Sequence, residues 1–194
     1  MNVTLIWSTP EPADVIGMGY GICTGRDMVD ESSFQKWIAK GHETPLEHAV
    51  ACFKVEGLSR VALAQLTRHR LASYSVQSHR YTEVEYEDYV VPDVTCGDHA
   101  YEIEGAWDAA WNAYSRLLEQ GVKPETARYV LPQMATCDLM VTANFREWRH
   151  IISQRCDRHA QAEIRELAGK VLVVLHEECA PVFADLWAKY GGEE

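Results

Sequence analysis

The alternation of apolar and polar positions divides the chain into recognisable elements. VTLIW, at 3–7, is β-rich and closes at Thr9-Pro10, which predicts a first strand. EPADVIGMGYGIC predicts a helix after the prolines, although it holds Gly17, Gly19 and Gly21. ESSFQKWIAKG predicts a short helix stopped at Gly41. Residues 49–56 alternate as a strand. LSRVALAQLTRHR follows with apolar Val61, Leu63, Ala64 and Leu66, so it predicts a helix with Ser59 as N-cap and Arg68, His69 and Arg70 at its C-terminal end. Residues 82–98 are acidic, contain Pro92 and Gly97, and predict an irregular loop.

Beyond the loop, AYEIEGAWDAAWNAYSRLLEQG has the period of an amphipathic helix ending at Gly121. KPETARYVLP predicts a short helix with Pro124 in its first turn and Pro132 after its end. QMATCDLMVTA predicts a strand, and NFREWRHIISQR a helix capped by Asn144. From His159 to Tyr190 the pattern is one long helix, bent or broken at Pro181. Helix therefore dominates over three or four strands, and the fold class expected is α+β: a single domain over 1–194, with a mainly antiparallel sheet packed by several helices and a long C-terminal helix.

Composition narrows the function. The 194 residues are 47% hydrophobic and 24% charged, as in a soluble globular domain, and the formal net charge is −11. So acidic a chain lacks the broad basic surface by which nucleic-acid polymers or anionic membranes are bound. No apolar run approaches the about 20 residues that span a bilayer. The six cysteines are widely and irregularly spaced, with no Cys-x-x-Cys pair and no signal peptide ahead of them, which predicts reduced thiols in a cytoplasmic protein.

Against that acidic background, RHRLASYSVQSHRY at 68–81 concentrates positive charge. Arg68, His69 and Arg70 precede LASYS, which supplies no countercharge. Guanidinium groups grip phosphate bidentately, and Ser73, Ser75 and Ser78 add neutral hydrogen bonds, so the segment points to an anionic ligand; the plain alternative is a solvated helix end. A second polar stretch, residues 144–165, holds Arg146, Arg149, Arg155, Arg158 and Arg165. Arg146 and Arg149, three apart, share a helix face, and on the plain reading such arginines pair with Glu147, Glu163 and Glu166. No metal site is expected: His42 and His48 in GHETPLEH are six apart across Pro45, and Cys156 with His159 has no second pair. Neither G-x-G-x-x-G nor a P-loop occurs.

These segments together resemble the flavin-dependent thymidylate synthases. The family signature is Arg-His-Arg, seven residues, then Ser, matched by Arg68-His69-Arg70 and Ser78. GHETPLEH, SRVALAQLTRHR, ARYVLP and NFREWRHIISQR…HAQAEIR resemble further family blocks in the same order, from about residue 3 to about residue 187. The resemblance implies conversion of dUMP to dTMP, with methylenetetrahydrofolate giving the carbon and FAD, reduced by NADPH, the hydride. It implies a homotetramer with sites built across subunits. By position, Arg68, His69, Arg70, Leu71, Asn144, Arg146, His150 and His159 would lie along FAD, with His42 and Glu47 near flavin and pyrimidine. Gln65, Arg68, Ser78, His79, Arg80, Arg128 and Arg155 would hold dUMP. Arg155 is expected to stabilise charge on a uracil carbonyl, and Ser78 to position the substrate. Val76 stands where the family usually carries Glu or Gln, and Gln154 where an apolar residue is common. A related C5 alkylation such as hydroxymethylation, another pyrimidine acceptor, or a binding module without turnover are the alternatives.

Overall fold

The structure, a computed structural model, describes residues 1–92 and 97–191. Residues 93–96 of the expected loop, with Cys96, lie outside the described residues. The α+β class holds: β1 (Asn2–Ser8), β2 (Val50–Ser59), β4 (Thr136–Asn144) and β3 (Ser73–Val76) form an antiparallel sheet in that spatial order. The interior strands β2 and β4 are buried along most of their length, whereas the edge strands β1 and β3 alternate between exposed and half-buried positions. β3 was not expected. SYSV is only four residues long, and half of it is serine, so it carries almost no strand signal of its own. Gly57 holds a φ of 71° inside β2, a conformation that side chains resist, and its N–H donates to Asp138 Oδ1 at 3.0 Å.

The remaining elements are α1 (Pro12–Thr24), α2 (Phe34–Ile38), α3 (Arg60–Leu66), α4 (Gly97–Glu119), α5 (Pro124–Ala127), α6 (Phe145–Arg155), α7 (Ala162–Glu178) and α8 (Ala180–Tyr190). Ser59 caps α3 as expected, its hydroxyl accepting from Ala62 N–H. The helix stops at Leu66, however, so Arg68, His69 and Arg70 occupy the turn that follows rather than a helix end. The expected long C-terminal helix is interrupted at Cys179, whose backbone is not helical, and Pro181 falls in the first turn of α8 where its missing N–H costs nothing.

The chain forms two compact units. The first contains Met1–Asn2, Val55–Arg68 and Ser75–Leu139. Its core gathers Val84, Trp107, Tyr114, Ala127 and Ala135, with the inward stripe of α4 supplying both large aromatics. Trp107 Nε1 donates to the carbonyl of Tyr86 at 2.9 Å, and Tyr114 Oη accepts from Val84 N–H at 3.1 Å. These bonds satisfy polar atoms that burial would otherwise penalise.

The second unit contains Val3–Lys54, His69–Tyr74 and Met140–Glu194. The glycines of α1 have a packing reason: a Cβ at Gly17 would lie 2.7 Å from the carbonyl of Val29, and one at Gly21 2.8 Å from that of Arg26. Phe145 and Trp148 of α6 are buried, against Phe183 and Phe53 respectively. Arg149 is 7% exposed and grips Asp185 of α8 through two 2.7 Å bonds. Burial alone would raise the Asp185 carboxyl pKa, but its bonds and charge contact with Arg149 hold it below the usual range. Arg146 and Arg149 therefore do not share an environment, because the 60° between them crosses from solvent to core.

Candidate active site

Among the described residues, each unit holds a cavity lined by chemistry-bearing side chains. In the second unit a cavity of about 520 Å³ is lined by Glu43, Glu47, Leu71, Asn144, Arg146, Glu147 and His150. The start of α6 builds most of it. Asn144 is the N-cap, its carboxamide oxygen accepting from Glu147 N–H at 2.9 Å, which fixes the first turn. Arg146 and His150, four apart, then face the same side. Arg146 donates from Nη1 to Glu47 Oε1 at 2.5 Å, and its Nε lies 3.7 Å from Glu43 Oε2. These are the carboxylates that pair with it, in place of the partners expected within residues 144–166.

The sequence RHR divides by burial. Arg68 and Arg70 are exposed, while His69 is 6% exposed. Arg155, the last residue of α6, donates from Nε to His69 Nε2 at 2.9 Å. Glu147 Oε1 lies 3.8 Å from the other ring nitrogen, Nδ1, and the His150 ring meets the imidazole edge-on at 5.4 Å. Tyr74 Oη donates to the His69 carbonyl at 3.0 Å. Burial first, then the Arg155 guanidinium and to a lesser degree the neighbouring His150, push the His69 pKa down to about 4, so the ring is neutral at pH 7. Burial likewise raises the Glu147 carboxyl above its usual range, with His150 opposing it.

His42 lies apart from the cleft lining: its ring meets Trp37 at 5.6 Å, and its carbonyl accepts from Tyr20 Oη. His159 is exposed beyond α6, its N–H donating to Asp157 Oδ1 at 3.0 Å. The cleft still fits a flavin ring. Leu71, 79% exposed, gives an apolar surface, His150 a planar one, and Arg146 with the carboxylates offers donors and acceptors to a heterocycle edge. It suits the ring system better than a diphosphate, because Arg146 is already paired.

In the first unit, Arg60, His79, Arg128, Tyr129 and Gln133 line a pocket of about 310 Å³. His79 is 5% exposed, and its Nε2 lies 2.9 Å from the Thr136 carbonyl, so in the neutral ring this nitrogen carries the proton. Burial and then Arg60 lower its pKa, the Thr136 carbonyl partly opposing, with Arg128 lowering and Asp88 raising it by less. Arg128 donates from Nε to the Glu125 carbonyl at 3.3 Å, and Arg80 Nη2 stands 3.6 Å from Glu125 Oε2 with its guanidinium over the Tyr81 ring. Ser78 Oγ accepts from Arg80 N–H at 3.3 Å, and the Ser78 carbonyl accepts from Tyr81 and Thr82, making it the organiser of this turn. Gln65, on α3, turns its carbonyl to Arg68 N–H. Val76 is half-buried on β3, and Gln154 is exposed.

Sequence reasoning gave no site role to Arg60, Glu43 or Glu147. Arg60 had a local signal, a cation directly after a cap residue. Glu147 had none, because His69 lies far away along the chain.

A family model described as thymidylate synthase complementing protein matches residues 4–182. The chain is 36% identical over 200 residues to the flavin-dependent thymidylate synthase of Geobacter sulfurreducens, covering 95% of this chain and 86% of that protein. It is 40% identical over 161 residues to the enzyme of the same name from Pyrococcus abyssi, covering 78% of this chain and 64% of that protein. Among solved structures, the UMP/dUMP methylase PolB from Streptomyces cacaoi, bound with 5-Br dUMP, superposes with a TM-score of 0.85 at 27% identity, covering 98% of this chain and 95% of that one. The fold, the signature residues and a match across nearly the whole length place the chain in the thymidylate synthase complementing protein family, whose relatives are the flavin-dependent thymidylate synthases.

Proposed function

We propose that the protein methylates C5 of dUMP to give dTMP, taking the carbon from methylenetetrahydrofolate and the hydride from FAD reduced by NADPH. The observation that carries this reading is the pocket of the first unit. In a chain of net charge −11, Arg60 and Arg128 converge there around a neutral, buried His79. Two guanidinium groups beside an uncharged imidazole suit the phosphate of a nucleoside monophosphate. Arg80 and Ser78 complete the same segment, with Gln65 and Arg68 close by in sequence. The likeness to PolB, a UMP/dUMP methylase, supports a pyrimidine nucleotide as the acceptor. The UMP in that relative's name, with Val76 in place of Glu or Gln, also favours a second reading in which the acceptor is another pyrimidine nucleotide.

Leu71, Asn144, Arg146, His150 and Glu47 would hold the flavin. When bound, the reduced flavin supplies the hydride that completes the methyl group. Arg155 polarises the pyrimidine: negative charge grows on a carbonyl oxygen as C5 becomes nucleophilic, and a held guanidinium gains most at that moment. Neutral His69 holds the Nε of Arg155 without adding a second positive charge. Ser78 positions substrate, and none of its hydrogen bonds above brings a general base to its hydroxyl. The site is completed by other copies in a cytoplasmic homotetramer, and analytical ultracentrifugation of an active monomer would end that part of the proposal. The deciding experiment is mass spectrometry of the nucleotide after incubation with dUMP, methylenetetrahydrofolate, FAD and NADPH. A product heavier by one methylene supports methylation. One heavier by the elements of formaldehyde indicates hydroxymethylation, the related alkylation, and unchanged nucleotide with saturable FAD binding indicates a binding module.

A further inference from the structure

The contact between Arg155 and His69 constrains the imidazole. A guanidinium Nε–H can only donate, so His69 Nε2 must present its lone pair. In a neutral ring the proton is then on Nδ1. That nitrogen faces Glu147 Oε1 at 3.8 Å, too long for a direct hydrogen bond and close enough for the carboxylate to favour an N–H pointing at it. Both groups are fixed. Glu147 is 6% exposed, and its own N–H is tied to the Asn144 cap; His69 is equally buried, and its carbonyl is tied to Tyr74. A carboxylate in this position carries a desolvation cost that a neutral side chain of the same size would avoid. Its charge is what distinguishes it from glutamine.

We propose that Glu147 is a positioning residue for the reaction: its carboxylate holds the His69 proton on Nδ1, keeping Nε2 an acceptor, so that Arg155 is aimed by a bond that exists in only one tautomer of the ring. The inference rests on the reading that Arg155 acts on the nucleotide. With the proton on Nε2 instead, two N–H donors face each other at 2.9 Å and Arg155 must move away. Glu147 itself stays off the substrate, and its effect passes through His69.

The lock is read directly by ¹⁵N NMR of the full chain labelled at histidine, with the His69 signals identified by their loss in His69→Gln. The wild-type protein shows protonated Nδ1 and acceptor Nε2. Glu147→Gln, whose amide can donate to Nδ1 as well as accept from it, shows a mixture of tautomers. Its kcat for product falls roughly ten- to a hundredfold, the range for losing a partner that orients a functional group, while KM for dUMP changes less. Glu147→Asp keeps the charge and recovers part of both readouts. A wild-type His69 protonated on Nε2 overturns the proposal, as does a folded Glu147→Gln protein that keeps both the wild-type tautomer and kcat. The reading of Arg155 fails separately: Arg155→Ala then forms product at wild-type rates whatever tautomer His69 adopts.

Discussion

His69 makes the protein acid-sensitive by a calculable amount. Its ring is neutral when folded, with a pKa near 4, whereas the unfolded chain has a histidine near 6.5. Between these values the unfolded state binds the extra proton, so stability is complete above pH 6.5 and is lost as pH falls toward 4. Integrating the difference gives a loss of about 2 kcal/mol between pH 7 and pH 5, and about 3 kcal/mol once both states are protonated. Glu147 works the other way: its raised pKa means that the folded state takes up a proton more readily, which returns part of the loss at the acid end. Between pH 7 and pH 5 the wild type is expected to lose about 2 kcal/mol more than a chain that lacks the imidazole and keeps Glu147. The perturbation is His69→Gln, whose carboxamide oxygen can still accept from Arg155 but does not titrate. The assay is urea unfolding of ligand-free protein at pH 7 and pH 5, compared between the two chains. All other titrating groups are common to both, so the difference between the two pH dependences isolates the imidazole. Equal losses in wild type and variant would refute a neutral, buried His69.

Arg155→Ala keeps the flavin spectrum but loses turnover by about 10²–10³, and Arg155→Lys recovers only part because a point charge does not reproduce the planar fork; product assays at saturating dUMP decide this. Arg128→Ala weakens dUMP binding roughly 10- to 150-fold with little change for FAD, the loss expected for a charge-assisted contact of about 1.5–3 kcal/mol, as read by calorimetry. Arg60→Ala behaves in the same direction, and equal loss for both ligands makes either arginine a structural one. Asp185→Ala leaves Arg149 buried without its partner and costs about 2 kcal/mol, less than a fully buried pair because Asp185 is half exposed. Replacing both residues with apolar ones costs less than Asp185→Ala alone, and denaturant midpoints test the order.

What was legible in the sequence was local. Ser59 and Asn144 each bond an N–H three residues away, so the cap and the helix it starts lie within one short window. The long strands β2 and β4 and the stripe of α4 were likewise visible in their own periodicity. β3 was not, because SYSV gains its place by pairing with a neighbouring strand and not from its own apolar content. Charge pattern proved a weaker guide than apolar pattern. Arg68, His69 and Arg70 read as one cationic cluster, yet two of them face solvent and the histidine turns inward without charge. Arg146 and Arg149 read as one face, yet one serves the cleft and the other ties α6 to α8. In each case the partner that decides the direction is remote in sequence: Arg155 stands 86 positions from His69, Glu47 99 from Arg146, and Asp185 36 from Arg149. A side chain's type records which chemistry it can do, and its distant partner fixes whether that chemistry is available. His69 carries the argument furthest. A residue that looks like a third positive charge in the signature is a neutral acceptor, and it is useful to Arg155 only because Glu147 lies on its far side.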